Sequence, residues 1–192
     1  IAKLNPRKGP TGKVPVVYHP RVSGGLVRHL ASAINVLSLT NKVAGQPLYN
    51  WHISSKDGLN PIASDGLEIC VHNSIDNLTL QRSNRLVVCG GGSLCVPQAD
   101  HQLSHWLARM ALQDIEIGAL NTASHLLAQA GLLDGYRCTT HWNYVERLAQ
   151  RNPGSRVETE QIYVIDRNLI TSGGITAGID MALAVVAEDH GK

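Results

Sequence analysis

The stretch Gly118 to Gly135, GALNTASHLLAQAGLLDG, passes from an apolar segment straight into an amphipathic one. A strand that turns at once into a helix makes a sharp elbow whose apex side chain stands above the sheet, beside the helix N-terminus. In hydrolases that apex is Ser or Cys; here it is Asn121, with Thr122 next. A carboxamide does not act as a nucleophile at neutral pH as a thiolate does, so covalent catalysis from this apex is not expected. Two uses remain and can coexist. Asn121 can cap its helix, worth ~1 kcal/mol, or it can touch a ligand.

Other residues are weaker candidates. CGGGS offers glycines that let backbone approach a phosphate, but the run has neither GxGxxG nor a terminal GK[ST], and Pro97 delays the next helix. Nucleotide binding is therefore not expected. His101 and His105 stand four apart on an expected helix with Asp100 adjacent; without the acid of HExxH or a nearby cysteine they read as a solvated helix face, and no metal site or cofactor is expected. Cys70, Cys89, Cys95 and Cys138 show no CxxC spacing, and three lie in apolar or strand-like settings. They read as buried, reduced thiols of a cytosolic protein. Cys89, at a strand end before the glycines, and Cys138 are the only routes to a displaced nucleophile.

The elements that position these residues alternate. KVPVVYHP reads as a buried strand, and Gly24 to Ala44 as an amphipathic helix with Leu26, Leu30, Ala33, Ile34 and Leu37 on one face. YNWHISS is a strand, followed by a small β excursion around Asp57-Gly58 and Asp65-Gly66. RLVVCGGG is a strand running into glycines; QADHQLSHWLARMALQ is a helix with Leu103, Leu107 and Met110 inward; IEIGAL is a strand. The Asn121 helix is expected to run to Leu133 and stop at Gly135. Then come YRCTTHW, a helix around YVERLAQ, a hairpin-like QIYVIDRNLITSGG and a last helix over 174–187. This pattern predicts an α/β fold, a doubly wound, mostly parallel sheet with helices on both faces. Such sheets bind ligands beyond the strands' C-terminal ends, here after Pro20, at 90–93, at 119–122 and near His141.

With 192 residues, 43% hydrophobic and 17% charged, the chain suits one domain. No apolar run approaches the ~20 residues of a membrane helix. The net charge of +2 is scattered, which does not make a DNA-binding surface. Residues 1–12 have breakers and charges but no apolar core, and read as a disordered lead-in to a domain over 13–192.

GALNTASHLLAQAGLLDGYRCTTHW, taken with DRNLITSGGITAGIDMALAVVAEDHG, GQPLYNWHISSKDG and RLVVCGG, resembles the sensor domain of AraC-type transcriptional regulators. That domain has a DJ-1/PfpI, class I glutamine-amidotransferase-like, flavodoxin-like fold, and the resemblance runs from about Lys13 to the end. In enzymes of that superfamily it implies a cysteine at the elbow, a histidine nearby and often a glutamate on the first helix. The matching positions are Asn121, His141 and one near Asn35. Two of three groups are replaced, which implies a pocket kept for binding after catalysis was lost. Asn121, Thr122, His141, Gly90, Gly91 and Trp142 are the expected ligand contacts, the glycine amides lying where the fold's enzymes build an oxyanion hole. Ala123 and His125 depart from the usual glycine and aromatic.

The expectation is a non-catalytic, cytoplasmic, homodimeric sensor of a small effector, without a membrane partner. DNA would be bound by a helix-turn-helix domain absent from this chain, which reads as truncated. The N–H groups of the Asn121 helix favour a carboxylate, so an amino acid or amine-containing acid is the first candidate; similar regulators respond to arginine or to betaine and carnitine. A cage for a quaternary ammonium would need Trp51, Trp106, Trp142 or tyrosines, because the chain has no Phe. The alternatives are a superfamily enzyme, a hydratase or amidotransferase-like hydrolase, using a displaced cysteine, and an assembly domain with a vestigial pocket.

Overall fold

The period changes in the sequence mark real boundaries. In the computed structural model, which describes residues 12–18, 24–63, 66–91 and 100–191, β1 spans Gly12–Tyr18 and α1 spans Gly24–Ala44. Residues 1–11 of the expected lead-in, the loop after Pro20, Asp65, Gly92, Cys95 and Pro97 lie outside the described residues, while Gly12, expected in the lead-in, begins β1.

Strands β2 (Tyr49–Ser55), β3 (Asn73–Ser74), β4 (Arg85–Cys89) and β5 (Glu116–Leu120) follow. With β8 (Tyr163–Asp166) and β9 (Leu169–Ser172) they form a seven-stranded sheet of order β3-β2-β1-β4-β5-β9-β8. Every pairing in it is parallel except β8 with β9. The short β6 (Arg137–Cys138) and β7 (Arg156–Val157) pair separately.

Central strands buried on both faces should be apolar without interruption, and RLVVC and EIGAL are nearly so. Because side chains alternate across a strand, Leu86, Val88, Ile117 and Ala119 enter one core with Leu103, Trp106 and Leu107 of α2 (His101–Ala111) and Leu126 and Leu127 of α3 (Ser124–Gln129). Cys89, Leu120 and Ile170 enter the opposite core with Leu30, Ala33 and Leu37 of α1 and Met181 and Val185 of α5 (Ile175–His190). The Asp100 carboxylate starts α2 by accepting the Leu103 N–H at 3.0 Å, and it also pairs with Lys56 at 2.8 Å.

Four expectations change. The Asn121 helix does not reach Leu133: a short 3₁₀ turn over Asn121–Ala123 leads into α3, which ends at Gln129. Gly131 takes the left-handed conformation (φ 73°), and the Leu132 N–H closes on the Leu127 carbonyl at 2.9 Å. That Schellman closure uses the first glycine of AGLLDG, not the second. The β excursion amounts to one bridge, Ile62 with Glu68, and the two residues of β3. Trp106 lies in the core, out of reach of any cage, and Cys70 is exposed while Cys89 and Cys138 are buried.

Candidate functional site

Strand β5 is sealed in the sheet up to Leu120, and at the next residue the backbone reverses. Asn121 has φ 60°, in the left-handed region that costs most side chains about 1–2 kcal/mol and that Asn tolerates better than nearly any other L-residue. The strand-to-helix elbow is therefore present, with Asn121 at its apex and only 9% exposed.

The turn is fixed from beneath. A Cβ on Gly90 would sit 2.2 Å from the Ala123 nitrogen, so only glycine lets the end of β4 meet the elbow backbone. The Gly90 N–H donates to the Leu120 carbonyl at 3.2 Å. Thr122 donates its hydroxyl to the Gly91 carbonyl at 2.6 Å. Thr140 and Ser124 hydroxyls both donate to the Asn121 carbonyl, at 3.2 and 3.3 Å. Thr122 is fully buried, its side chain braces the turn, and it is not among the residues that line the cleft beyond the apex. Gly90 likewise serves the turn through its missing Cβ.

Beyond the apex lies a cleft of about 560 Å³, within the ~300–1,000 Å³ range of small-molecule sites. Asn121, Thr140, His141, Trp142 and Glu160 line it together with the segment from Gly173 to Ala177 at the start of α5. Three expected contacts, Asn121, His141 and Trp142, thus share one cavity. His141 is half-buried; its Nδ1 accepts the Asn143 N–H at 3.3 Å, which leaves the Nε2 position for the proton. Burial holds its pKa below the usual histidine value. The Trp142 ring stacks on it at 5.5 Å and, 76% exposed, forms the rim.

Gly174 caps α5 without a side chain, and the ladder begins with the Gly178 N–H on the Gly174 carbonyl at 2.9 Å. The first N–H groups of a sixteen-residue helix therefore open on the cleft, as they do at anion sites. Glu160 and this helix start were not found from the sequence. ETEQ has no local signature, and only SGGIT, glycines before a periodic run, hinted at the helix start.

His125 fills a place where an aromatic is usual and packs like one, edge-on to the Tyr144 ring at 6.3 Å. Burial, followed by Arg151 and Arg147 nearby, lowers its pKa to about 4. Asn35 is exposed midway along α1, so the first-helix carboxylate position of the superfamily does not lie there. His101 and His105 are exposed on α2, and among the described residues no three His, Cys, Asp or Glu gather for a metal. Burial pushes the Cys89 thiol far up and the Cys138 thiol up to about 11, so both stay protonated at neutral pH. No helix of the described residues is long and apolar enough to cross a membrane.

The sequence profile of the DJ-1/PfpI family matches residues 44–188. The chain belongs to the DJ-1/PfpI family. Among curated relatives, the HTH-type transcriptional regulator GbdR of Pseudomonas aeruginosa is 37% identical over 163 residues, 85% of this chain and 43% of that protein. The chain thus spans less than half the length of that relative. An isonitrile hydratase of Pseudomonas putida is 32% identical over 76% of this chain and 62% of its own. The fold is shared with an AraC family transcriptional regulator from Pseudomonas putida, whose solved structure superposes with a TM-score of 0.80 at 23% identity and 94% coverage of both chains.

Proposed function

We propose that this chain is the non-catalytic effector-sensing domain of an AraC-family transcriptional regulator, and that it acts in the cytoplasm as a homodimer. DNA binding belongs to an attached helix-turn-helix domain. The observation that carries this reading is the carboxamide of Asn121 at the apex of an otherwise complete elbow. The likeness to GbdR supports the regulatory side of it.

The effector is a small amine-containing carboxylate. The uncapped start of α5 suits the carboxylate, and Glu160 with the Trp142 face suits the cation. This shifts the carboxylate from the Asn121 helix, whose first turn is packed against Gly90, to the longer helix across the cleft. Asn121 orients the ligand between them. Binding regulates only through different affinities for two arrangements of the protein.

Thermal-shift titration with amino acids, betaines, polyamines and simple carboxylates tests this. A ligand at a hundredfold its dissociation constant adds ~2.7 kcal/mol, a shift of roughly 5 °C or more. The shift should vanish in Asn121→Gly, which keeps the left-handed backbone and removes the carboxamide. A shift that survives this change would remove Asn121 from the site.

The likeness to isonitrile hydratase supports a second reading, an enzyme with a displaced nucleophile. Rapid alkylation of a single cysteine at neutral pH, followed by intact mass, would favour it. The raised pKa values of Cys89 and Cys138 speak against it.

A further inference from the structure

Strand β2 is almost an edge strand, because β3 pairs with it only at Ser54 and Ser55. Along the rest of its length the outward peptide groups must find partners elsewhere. At Tyr49 a side chain supplies both: Asn41 Oδ1 accepts the Tyr49 N–H and Asn41 Nδ2 donates to the Tyr49 carbonyl, each at 2.8 Å. At Ile53 the N–H donates to His72 Nδ1 at 3.1 Å, and the carbonyl accepts the His72 N–H at 2.8 Å.

In a strand the N–H and C=O of every second residue point to the same side. Trp51, midway between Tyr49 and Ile53, therefore directs its pair outward too. Among the described residues no partner meets that pair.

Beside it lies a recess of about 310 Å³, separate from the cleft, with Asn50, His52, Asn73, Thr79 and Asn84 among its lining. Asn84 is buried, and its Oδ1 accepts the Gln81 N–H at 2.7 Å. Asn73 Oδ1 accepts from the Ser54 hydroxyl at 2.7 Å. Both carboxamides are held by their oxygens, which leaves their NH₂ groups as donors. Leu78 and Leu80 add apolar wall. Among the described lining residues only His52 can ionise, so a charged ligand would lose water with little counter-charge to gain.

We infer that this recess binds a neutral ligand carrying a primary carboxamide, which makes to Trp51 the same two bonds that Asn41 makes to Tyr49. Asn41 is the internal precedent: one planar amide that satisfies one outward residue of this strand. Thr79 and the NH₂ groups of Asn73 and Asn84 would hold the far side of such a molecule.

The test is a ¹⁵N NMR titration of the chain with propionamide and benzamide, using propionate and benzoate as matched acids. The expected result is a saturable shift of the Trp51 main-chain amide at millimolar amide, with the acids about tenfold weaker or worse. Thr79→Trp, on the exposed wall, fills the recess and should abolish the response with the melting temperature unchanged. Asn121→Gly should leave the response intact, which separates this site from the cleft. A Trp51 amide that does not move, or that moves equally with the acids, overturns the inference whether or not the Thr79 variant folds.

Discussion

At the N-terminal ends of β4 and β5 the sheet is closed by charge, and at the elbow after β5 by backbone. Arg85, at the start of β4, bonds Glu116 at the start of β5 and Asp189 near the end of α5, the latter at 2.5 Å; Tyr49 donates to the same Asp189 at 2.8 Å. Burial, then this hydrogen bond, holds the Tyr49 phenol protonated far above its usual range. Among the described residues no ion pair secures the elbow. Gly90, Thr122, Thr140 and Ser124 hold it through close approach and neutral hydrogen bonds. The difference separates labour within one sheet. The Arg85, Glu116 and Asp189 cluster lies away from the cleft, whose described lining carries one carboxylate, that of Glu160.

The largest expected effect falls on the elbow. Gly90→Ala forces a methyl into the Ala123 backbone and should cost about 4 kcal/mol or more, measured by urea unfolding or seen as failure to accumulate folded protein. A loss below about 1 kcal/mol would mean that the two segments can separate.

Next comes the charged end. Arg85→Leu strands two carboxylates, and because these groups are partly exposed the cost is about 2 kcal/mol rather than the 3–5 kcal/mol of a fully buried pair. Effector affinity in the cleft should stay unchanged, and a parallel loss of affinity would break the division between the ends.

Acid should act through His125. Its folded pKa of about 4 lies below its unfolded value, so the unfolded chain binds the extra proton between them. Stability is complete above the unfolded value and falls as pH drops, by roughly 2 kcal/mol at pH 5. His141, shifted the same way by burial, adds to this. His125→Phe should remove most of the slope in melting temperature between pH 7 and 5.

The smallest change in stability is expected at the apex itself. Asn121→Gly relieves the left-handed backbone and should alter unfolding by less than about 1 kcal/mol, while ligand-dependent stabilisation disappears. Stability and recognition would then be read separately at one residue.

Much of this was legible in the sequence because it is local. The bounds of α1 and the inward face of α2 follow from residue spacing, and the strand-to-helix turn at Asn121 follows from an apolar run that ends where a helical period begins. AGLLDG misled because it holds two glycines, and only the Leu127 to Leu132 closure decides which one ends the helix. The cleft was half legible. His141 and Trp142 were placed by resemblance to a family, whereas Glu160 and the start of α5 reach Asn121 only because β9 lies beside β5, a long-range pairing that no local pattern carries. Thr122 was misjudged because a hydroxyl next to an apex can turn either outward or inward, and the Gly91 carbonyl took it.

The contact between Gly90 and Ala123 also sets a clock. Two segments that touch without room for a methyl group cannot breathe apart while β4 and β5 stay paired, so the Gly90 and Ala123 amides should exchange with deuterium only on global unfolding. An effector of the proposed kind would then enter and leave on a faster timescale past the exposed Trp142 rim, so its residence time would be set at that rim and not at the elbow.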